Sequence, residues 1–542
     1  MKQLKNPVRI ILTPVLFAVA VIIGILIGRY YKSSQRDTMF YIYPRTDKLT
    51  NVTNYITQEY VDPIDKNALI ERTIPKILAE LDPHSQYLPA NQLEIVSEPL
   101  EGNFSGIGVQ FNMLNDTLVV IKTIANGPSE KVGIVAGDRI LIVDGDTVAG
   151  KGILSDSIVK KLKGPKGTQV KVGIRRYKVA DLLFFDIIRD NIPLYSMDIA
   201  YMIRPEIGYI RLNTFSRTTF EEFSEGTIKL LGQGMQSMIL DLRGNGGGYL
   251  DPAVHIADQF LQGNQLIVYT EGNARPRQEY RSSKGGICND IDVVVLIDEG
   301  SASASEILAG ALQDNDRGTI VGRRSFGKGL VQEQNVFPDG SAIRLTIARY
   351  YTPTGRSIQK PYENGDDQDY YFELSKRYLH GEFSEEDSIK FNDSLKYTTP
   401  GGKTVYGGGG IMPDVFIPLD TNNITNYLVD VRNRGLIYSF ALQFTEQNRK
   451  ELEKTISLEE INSYLTRKKV LYQFINYAAQ NNVPSNKKEI TISEELLKTQ
   501  LYAYIIRNIF DNQGYYPAIE KIDNTLLQAI EIILKGNIYA KE

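Results

Sequence analysis

Two short segments of this chain combine residue types that suit acyl transfer at a serine. Ser303 lies where an apolar strand pattern changes to a helical one, so a helix amino terminus would place partial positive charge beside a developing oxyanion. Lys328 follows in a loop, with a glycine on each side. A lysine takes a serine proton only when desolvation lowers its pKa from about 10.4 toward about 7 or 8. Together the segments predict a serine nucleophile and a lysine base.

Both segments also have a structural interpretation. Ser303 with Glu306 three residues later is a helix capping box, and Lys328 between glycines can be an ordinary surface residue. The neighbours favour catalysis, because Phe326 and Leu330, two residues before and after the lysine, can wall a dry pocket. Gln332, four residues further on, can hold the lysine amine by a hydrogen bond.

The other common catalytic groups fit no pattern. The three histidines, His84, His255 and His380, belong to no recognisable catalytic or metal-binding motif. Cys288 is the only cysteine, which excludes an internal disulfide and any zinc site built from paired cysteines. We therefore expect neither a metal nor another cofactor.

The elements that position these residues alternate between strand and helix. Residues 207–349 repeat a strand-loop-helix plan, which predicts parallel crossovers and an α/β core. Residues 241–248 form a glycine-rich loop after one such strand, and its exposed N–H groups would let a carbonyl approach. Because the carboxyl ends of parallel strands meet at one edge of a sheet, we expect this loop near Ser303.

The amino terminus predicts a membrane anchor. Basic residues precede a mostly apolar run at 10–28, close to the roughly 20 residues that cross a bilayer as a helix. The positive-inside rule leaves residues 1–9 in the cytoplasm and puts the rest outside, in the periplasm. A cleaved signal peptide is the alternative, but the small-x-small pattern at 18–20 lies inside the apolar run.

Composition narrows the remaining classes. Apolar residues make up 42% of the 542 residues and charged residues 23%, as in globular proteins of about three or four domains. A net charge of -4 provides no basic field for a phosphate backbone, so nucleic acid is excluded as a partner.

Six motifs resemble, in order, those of the carboxyl-terminal processing, or tail-specific, proteases of the Ser-Lys type. They lie at residues 81–88, 241–248, 300–307, 325–332, 347–353 and 410–415, and the resemblance covers about 51–418. It implies that Ser303 is the nucleophile, Lys328 the general base and Gln332 its orienting partner. It also implies an α/β core of the ββα-spiral, crotonase-like type.

The resemblance further implies an oxyanion hole and a peptide-binding module. The hole is expected at the N–H groups of Ala304 and of Gly246 or Gly247, where many relatives have proline at position 246. The strand-rich residues 102–188 resemble an inserted PDZ domain, whose carboxylate-binding loop would be Gly106, Ile107, Gly108 and Val109. Lys163 matches a site where relatives have a basic residue coupling this domain to the active site, although a solvated charge explains it equally well.

We expect six segments along the chain. They are a cytoplasmic amino terminus (1–9), the anchor (10–28), a helical segment (45–100), the PDZ-like domain (102–188), the protease core (189–420, with an insertion at 362–398) and a helical extension (421–542).

The resulting hypothesis is a membrane-anchored endopeptidase that binds proteins by apolar carboxyl termini and cleaves them near that end. Two alternatives stay open. An inactive relative could act as a peptide-binding scaffold, or the helical tail of an envelope-organising protein could do the main work. The sequence leaves natural substrates open and is compatible with a homo-oligomer.

Overall fold

The computed structural model describes residues 16–27, 47–114, 116–177, 179–365, 367–390 and 392–536. The predicted cytoplasmic segment and the two ends of the predicted anchor, residues 10–15 and 28, lie outside these ranges. Residues 16–27 form a helix, α1, with exposed side chains. Within the described ranges, no helix has both the length and the apolarity to cross a bilayer.

The chain divides into two compact units, residues 1–74 and 75–542. In the first, α2 (Lys48–Glu59) begins after Asp47, whose side chain accepts the Thr50 N–H at 2.9 Å as an N-cap. Helix α3 (Lys66–Ala79) contains the boundary between the units. The second unit opens with strand β1 (Gln86–Leu88) and helix α4 (Ala90–Glu101). The predicted amino-terminal helices are therefore present.

The strand-rich module forms an antiparallel sheet in the order β3-β4-β5-β7-β8. Its elements are β2 (Asn103–Gly106), β3 (Val109–Met113), β4 (Leu118–Thr123), α5 (Pro128–Lys131), β5 (Arg139–Val143), β6 (Asp146–Thr147), α6 (Ser155–Leu162), β7 (Gln169–Arg175), β8 (Leu183–Ile188) and β9 (Asp190–Pro193). Strand β3 is an edge strand, and its side chains pack with those of α6 around one apolar cluster. An edge strand can accept a further strand.

Two sheets build the core. Its elements are β10 (Met197–Arg204), β11 (Ile207–Leu212), α7 (Thr219–Gly232), β12 (Ser237–Asp241), α8 (Leu250–Phe260), β13 (Leu266–Gly272), β14 (Arg275–Arg281), β15 (Asp292–Ile297), α9 (Ala304–Asp314), β16 (Thr319–Gly322), β17 (Leu330–Val336), β18 (Ala342–Tyr351), α10 (Asp367–Leu379), β19 (Lys396–Thr398), β20 (Thr404–Tyr406) and β21 (Val415–Phe416). The main sheet runs β10-β11-β12-β15-β16-β21, parallel from β11 onward. The predicted parallel crossovers and α/β class are confirmed.

A second, antiparallel sheet contains β1, β18, β13 and β14, with β17 paired to β18. Helices α7, α8 and α9 cover one face of the main sheet, where apolar side chains from these helices and from the strands form the largest buried cluster. Because β12 and β15 end at the same edge, the loops that follow them lie together. These are the loops that carry residues 241–248 and Ser303.

The residues beyond 425 form a helical extension (residues 426–534). Its helices are α11 (Asn426–Asn433), α12 (Leu436–Leu452), α13 (Leu458–Arg467), α14 (Val470–Gln480), α15 (Lys487–Ile492), α16 (Glu494–Ile519) and α17 (Asn524–Leu534). Most of them share a cluster of their own, whereas α17 packs against the second face of the main sheet through Leu526, Ala529 and Ile530. The sheet is thus covered by helices on both faces.

Candidate active site

Ser303 occupies a strained turn between β15 and α9. Its backbone has φ +55° and ψ -113°, a conformation that a residue with a side chain adopts only at a cost of about 1–3 kcal/mol. Such strand-to-helix turns present a serine hydroxyl at the top of a sheet. The side chain is partly buried, and the next residue, Ala304, is the first of the helix.

The glycine-rich loop at 241–248 packs directly against this turn. A β-carbon on Gly247, whose φ is +97°, would lie 2.7 Å from Ser303 Cβ and 2.9 Å from the Ala304 nitrogen. Only glycine fits so close an approach. The Asn245 carbonyl accepts the Ala302 N–H at 3.0 Å, so the loop and the serine turn are also hydrogen bonded to each other.

The three backbone groups expected for an oxyanion hole differ in what they already bind. The Gly247 N–H donates to Asn245 Oδ1 at 2.9 Å. Within the described part of the chain, the N–H groups of Ala304 and Gly246 donate to no other residue. The sequence left Gly246 and Gly247 as alternatives, and Gly246 is the exposed residue of the two and the one whose N–H is unoccupied within the described part of the chain.

Lys328 is partly buried and its amine is held by the predicted glutamine. Lys328 Nζ donates to Gln332 Oε1 at 3.2 Å, and Gln332 Nε2 donates to the His84 carbonyl at 2.5 Å. Burial lowers the pKa of the lysine, and the positive charge of Arg344 lowers it further. A lysine with a lowered pKa is uncharged at a lower pH than usual and can then accept a proton.

Glu306 joins the serine and lysine segments. The carboxylate is fully buried at the first turn of α9. Its Oε2 accepts the N–H of Ser303 at 2.8 Å and that of Lys328 at 2.9 Å, while Oε1 accepts Ser325 Oγ–H at 2.5 Å and the Gly327 N–H at 2.7 Å. Burial raises the pKa of the Glu306 carboxyl to about 7, although these hydrogen bonds oppose the shift.

Tyr350 makes a second link between the two segments. Its hydroxyl lies 3.1 Å from the Ser303 carbonyl oxygen and also donates to the Lys328 carbonyl. Among the described residues, no hydrogen bond joins Ser303 Oγ to Lys328 Nζ directly. The backbones of the two segments are therefore held together by Glu306 and Tyr350, both of which the sequence left without a role in joining them.

The insertion at 362–398 supports the lysine segment. Arg377 donates to the carbonyls of Arg324 and Ser325 at 2.8 and 3.0 Å. The ring of Phe326, which the sequence predicts as a wall of the Lys328 pocket, also contacts the ammonium of Lys360, whose Nζ lies 4.0 Å from the ring centroid. Part of the predicted apolar wall thus serves another lysine.

His84 lies close enough to Lys328 for the lysine charge to affect its pKa. Burial and the charge of Lys328 lower the pKa of His84 to about 4, and its Nε2 lies 2.9 Å from the hydroxyl of Tyr370 in α10. The imidazole is therefore neutral at ordinary pH. Across the described ranges, no cluster of three or more histidine, cysteine or acidic side chains could hold a metal ion.

The predicted carboxylate-binding loop lies at the start of the edge strand β3. Gly106 ends β2 and Val109 begins β3. The carbonyls of Ile107 and Gly108 accept the N–H groups of Ser129 and Ile124, both at 3.0 Å. The N–H groups of Ile107 and Gly108 have no hydrogen-bond partner in the described part of the chain, as a loop that captures a carboxylate requires.

Three parts of the chain match known protein families. Residues 206–370 match peptidase family S41, residues 105–183 match the PDZ domain, and residues 427–511 match a family of unknown function, DUF8443. The chain is 35% identical over 321 residues to the carboxy-terminal-processing protease of Bartonella bacilliformis, covering 58% of this chain and 73% of that protein.

A second bacterial protease and a solved structure are also similar to this chain. Over 318 residues, 58% of this chain and 65% of the relative, identity to the carboxy-terminal processing protease CtpB of Bacillus subtilis is 34%. The solved photosystem II D1 C-terminal processing protease aligns at 27% identity with a TM-score of 0.35, covering 68% of this chain and 87% of that one.

The chain belongs to the carboxy-terminal-processing proteases of peptidase family S41. It is a serine-type peptidase with a PDZ domain between amino-terminal helices and the protease core, and a helical extension follows that core. The predicted family, fold class and type of enzyme are confirmed.

Proposed function

We propose that this peptidase is an endopeptidase that uses Ser303 and Lys328 as a catalytic dyad. Ser303 Oγ attacks the scissile carbonyl while Lys328 Nζ takes its proton, and the N–H groups of Ala304 and Gly246 stabilise the tetrahedral oxyanion. Lys328 then gives the proton to the leaving amine, and a water molecule hydrolyses the acyl-enzyme by the same steps. Gln332 orients the amine throughout.

One observation gives the main support for the dyad. The backbone N–H groups of Ser303 and Lys328 bind the same oxygen of the buried Glu306 carboxylate at 2.8 and 2.9 Å. A strained serine turn and a lysine of lowered pKa are thereby fixed as neighbours. In this proposal the lysine side chain rearranges to bring its amine to the hydroxyl, since catalytic hydrogen bonds often tighten only when substrate binds.

The PDZ domain selects the substrate in this proposal. A free carboxyl terminus binds the N–H groups of Ile107 and Gly108, and the chain that precedes it adds to β3 as a further strand. Apolar side chains of that strand face the cluster shared by β3 and α6. Cleavage near apolar carboxyl termini follows.

The test compares the wild type with Ser303→Ala and Lys328→Ala on an internally quenched peptide that has an apolar, free carboxyl terminus. Both variants should lose at least about 10³-fold in kcat/KM, and amidation of the peptide carboxyl should weaken binding. A Lys328→Ala enzyme with near wild-type turnover would refute the dyad. A Ser303→Ala enzyme that still cleaves would refute the nucleophile.

Membrane anchoring is the second part of the proposal and is supported by the apolar run at 10–28 with its basic flank. It would place the peptidase in the periplasm, on the outer face of the inner membrane, with the segments at 45–100, 102–188, 189–420 and 421–542 as its four parts. Fractionation of cells expressing the full chain tests it. Wild type should stay in membranes washed with carbonate and Ile23→Arg should not, whereas a wild type found in the soluble fraction would refute the anchor.

A further inference from the structure

The carboxylate of Asp523 in the helical extension contacts the glycine-rich loop. Arg243, in the loop, donates from Nη1 and Nη2 to the two oxygens of Asp523 at 2.7 Å each. The same guanidinium donates from Nε and Nη2 to Asp241, at the end of β12, at 3.0 and 2.6 Å. Arg243 thus bridges a core strand and the residue that immediately precedes α17.

The bridge lies in a largely desolvated place. The side chains of Arg243 and Asp523 are 14% and 26% exposed, and that of Asp241 is fully buried. Arg211 also donates to Asp241, at 2.7 Å, so two arginines face two carboxylates. Without Asp523, two arginines share one carboxylate, and Arg243 loses two of the four hydrogen bonds of its guanidinium.

Arg243 begins the backbone stretch that leads to the candidate oxyanion donor. Its carbonyl accepts Arg211 Nη2 at 3.0 Å, and the next N–H, that of Gly244, donates to Asp298 Oδ1 at 2.8 Å. Asn245 follows and is bonded to the serine turn. Arg243 and the N–H of Gly246 thus belong to one short hydrogen-bonded stretch, three residues apart.

Hydrogen bonds to neighbouring elements hold the segment that carries Asp523. Glu520, one turn earlier, accepts the hydroxyl of Tyr201 and the guanidinium of Arg204, both at 2.9 Å on β10. The Asp523 carboxylate also caps α17 by accepting the Leu526 N–H at 3.1 Å. Hydrogen bonds on both sides of Asp523 therefore fix its position next to Arg243.

We propose that Asp523 is a positioning residue for the peptidase reaction, through which the helical extension holds Arg243 and with it the oxyanion loop. The inference rests on the proposed function, because it assumes that the Gly246 N–H binds the oxyanion. It assigns to the extension a part in catalysis in addition to its packing against the sheet.

The test uses Asp523→Asn in the full chain, because asparagine can keep the N-cap of α17 while it removes the charge and one of the two oxygens that accept from Arg243. We expect kcat on the quenched peptide to fall about 10- to 100-fold while KM changes less than about threefold, since a displaced oxyanion donor affects the transition state alone. Asp523→Glu, which keeps the charge, should restore part of the lost kcat.

Glu531→Gln is the matched control. It removes a carboxylate from α17 that pairs at 2.5 Å with Lys535, an exposed pair far along the helix from the loop. Its kcat and its thermal unfolding midpoint should equal those of wild type, and Asp523→Asn should unfold within a few degrees of both. Wild-type kcat in Asp523→Asn, or a loss of activity that lies entirely in KM, would overturn the positioning role. In either case an inactive Ser303→Ala enzyme would leave the dyad intact, whereas an active one would refute the dyad itself.

Discussion

A methyl group added at Gly247 should slow catalysis strongly without unfolding the peptidase. The new β-carbon would lie 2.7 Å from the Ala302 carbonyl oxygen and 2.7 Å from Ser303 Cβ, whereas ordinary van der Waals contact begins at 3.4 Å. The serine turn or the loop must therefore move by several tenths of an ångström. Both atoms belong to the turn that aims the nucleophile.

Two effects of the substitution can be separated. A positive φ, +97° at this residue, costs an alanine about 1–2 kcal/mol of stability wherever it occurs. The displacement of Ser303 acts on the rate, because a misplacement of about 1 Å at a reacting group can cost about 10²-fold. We expect kcat/KM to fall about 100-fold.

Gly244→Ala provides the control in the same loop. Gly244 also has a positive φ, +69°, but a β-carbon there would meet nothing within 4 Å. It should lose the same 1–2 kcal/mol of unfolding free energy and keep kcat/KM within about threefold. Urea unfolding and cleavage of the quenched peptide measure the two quantities. Equal activity of the two variants would refute the argument that the close approach of Gly247 aims the serine.

Three further predictions concern charged groups. Arg344→Gln removes a positive charge that lowers the pKa of Lys328, so the rise of kcat/KM with pH should move to higher pH, and an unmoved profile would contradict the coupling. The pKa of the Glu306 carboxyl is about 4.5 in the unfolded chain and about 7 in the folded one, so wild type should lose about 3 kcal/mol of unfolding free energy as pH rises through that interval. Glu306→Gln should not show this loss when the unfolding free energy is measured in urea at several pH values, and equal pH slopes of the two proteins would contradict the prediction. Asp314→Asn breaks a fully buried ion pair with Arg356, joined at 2.7 Å, and should lower the unfolding free energy by about 3–5 kcal/mol; a change below about 1 kcal/mol would contradict this.

Much of the site follows from local pattern alone. The positions of Ser303 at the start of a helix and of Lys328 in a glycine-flanked loop depend on neighbouring residues, and so does the contact with Gln332 four residues on. The parallel crossovers then place the two loops at one edge. The catalytic roles of these residues stay predictions until the variants are measured.

Other features depend on partners remote in sequence. Glu306 shows a capping pattern with its own helix, but two of its four donors come from more than twenty residues away, at Gly327 and Lys328. The choice between Gly246 and Gly247 depends on which N–H the Asn245 side chain takes. The apolar spacing of a helix likewise does not tell which surface it covers, so the position of α17 on the sheet was not foreseeable.

The position of α17 on the main sheet affects how late in synthesis the fold can be completed. Every strand of the main sheet is synthesised before residues 524–534, and α17 covers Ile239 and Val294 on its second face. During synthesis, the part of this face that α17 covers stays open to water until α17 has emerged, and Arg243 lacks its partner Asp523 for as long. If Asp523 positions the oxyanion loop as proposed, full peptidase activity appears only after the helical extension has been synthesised.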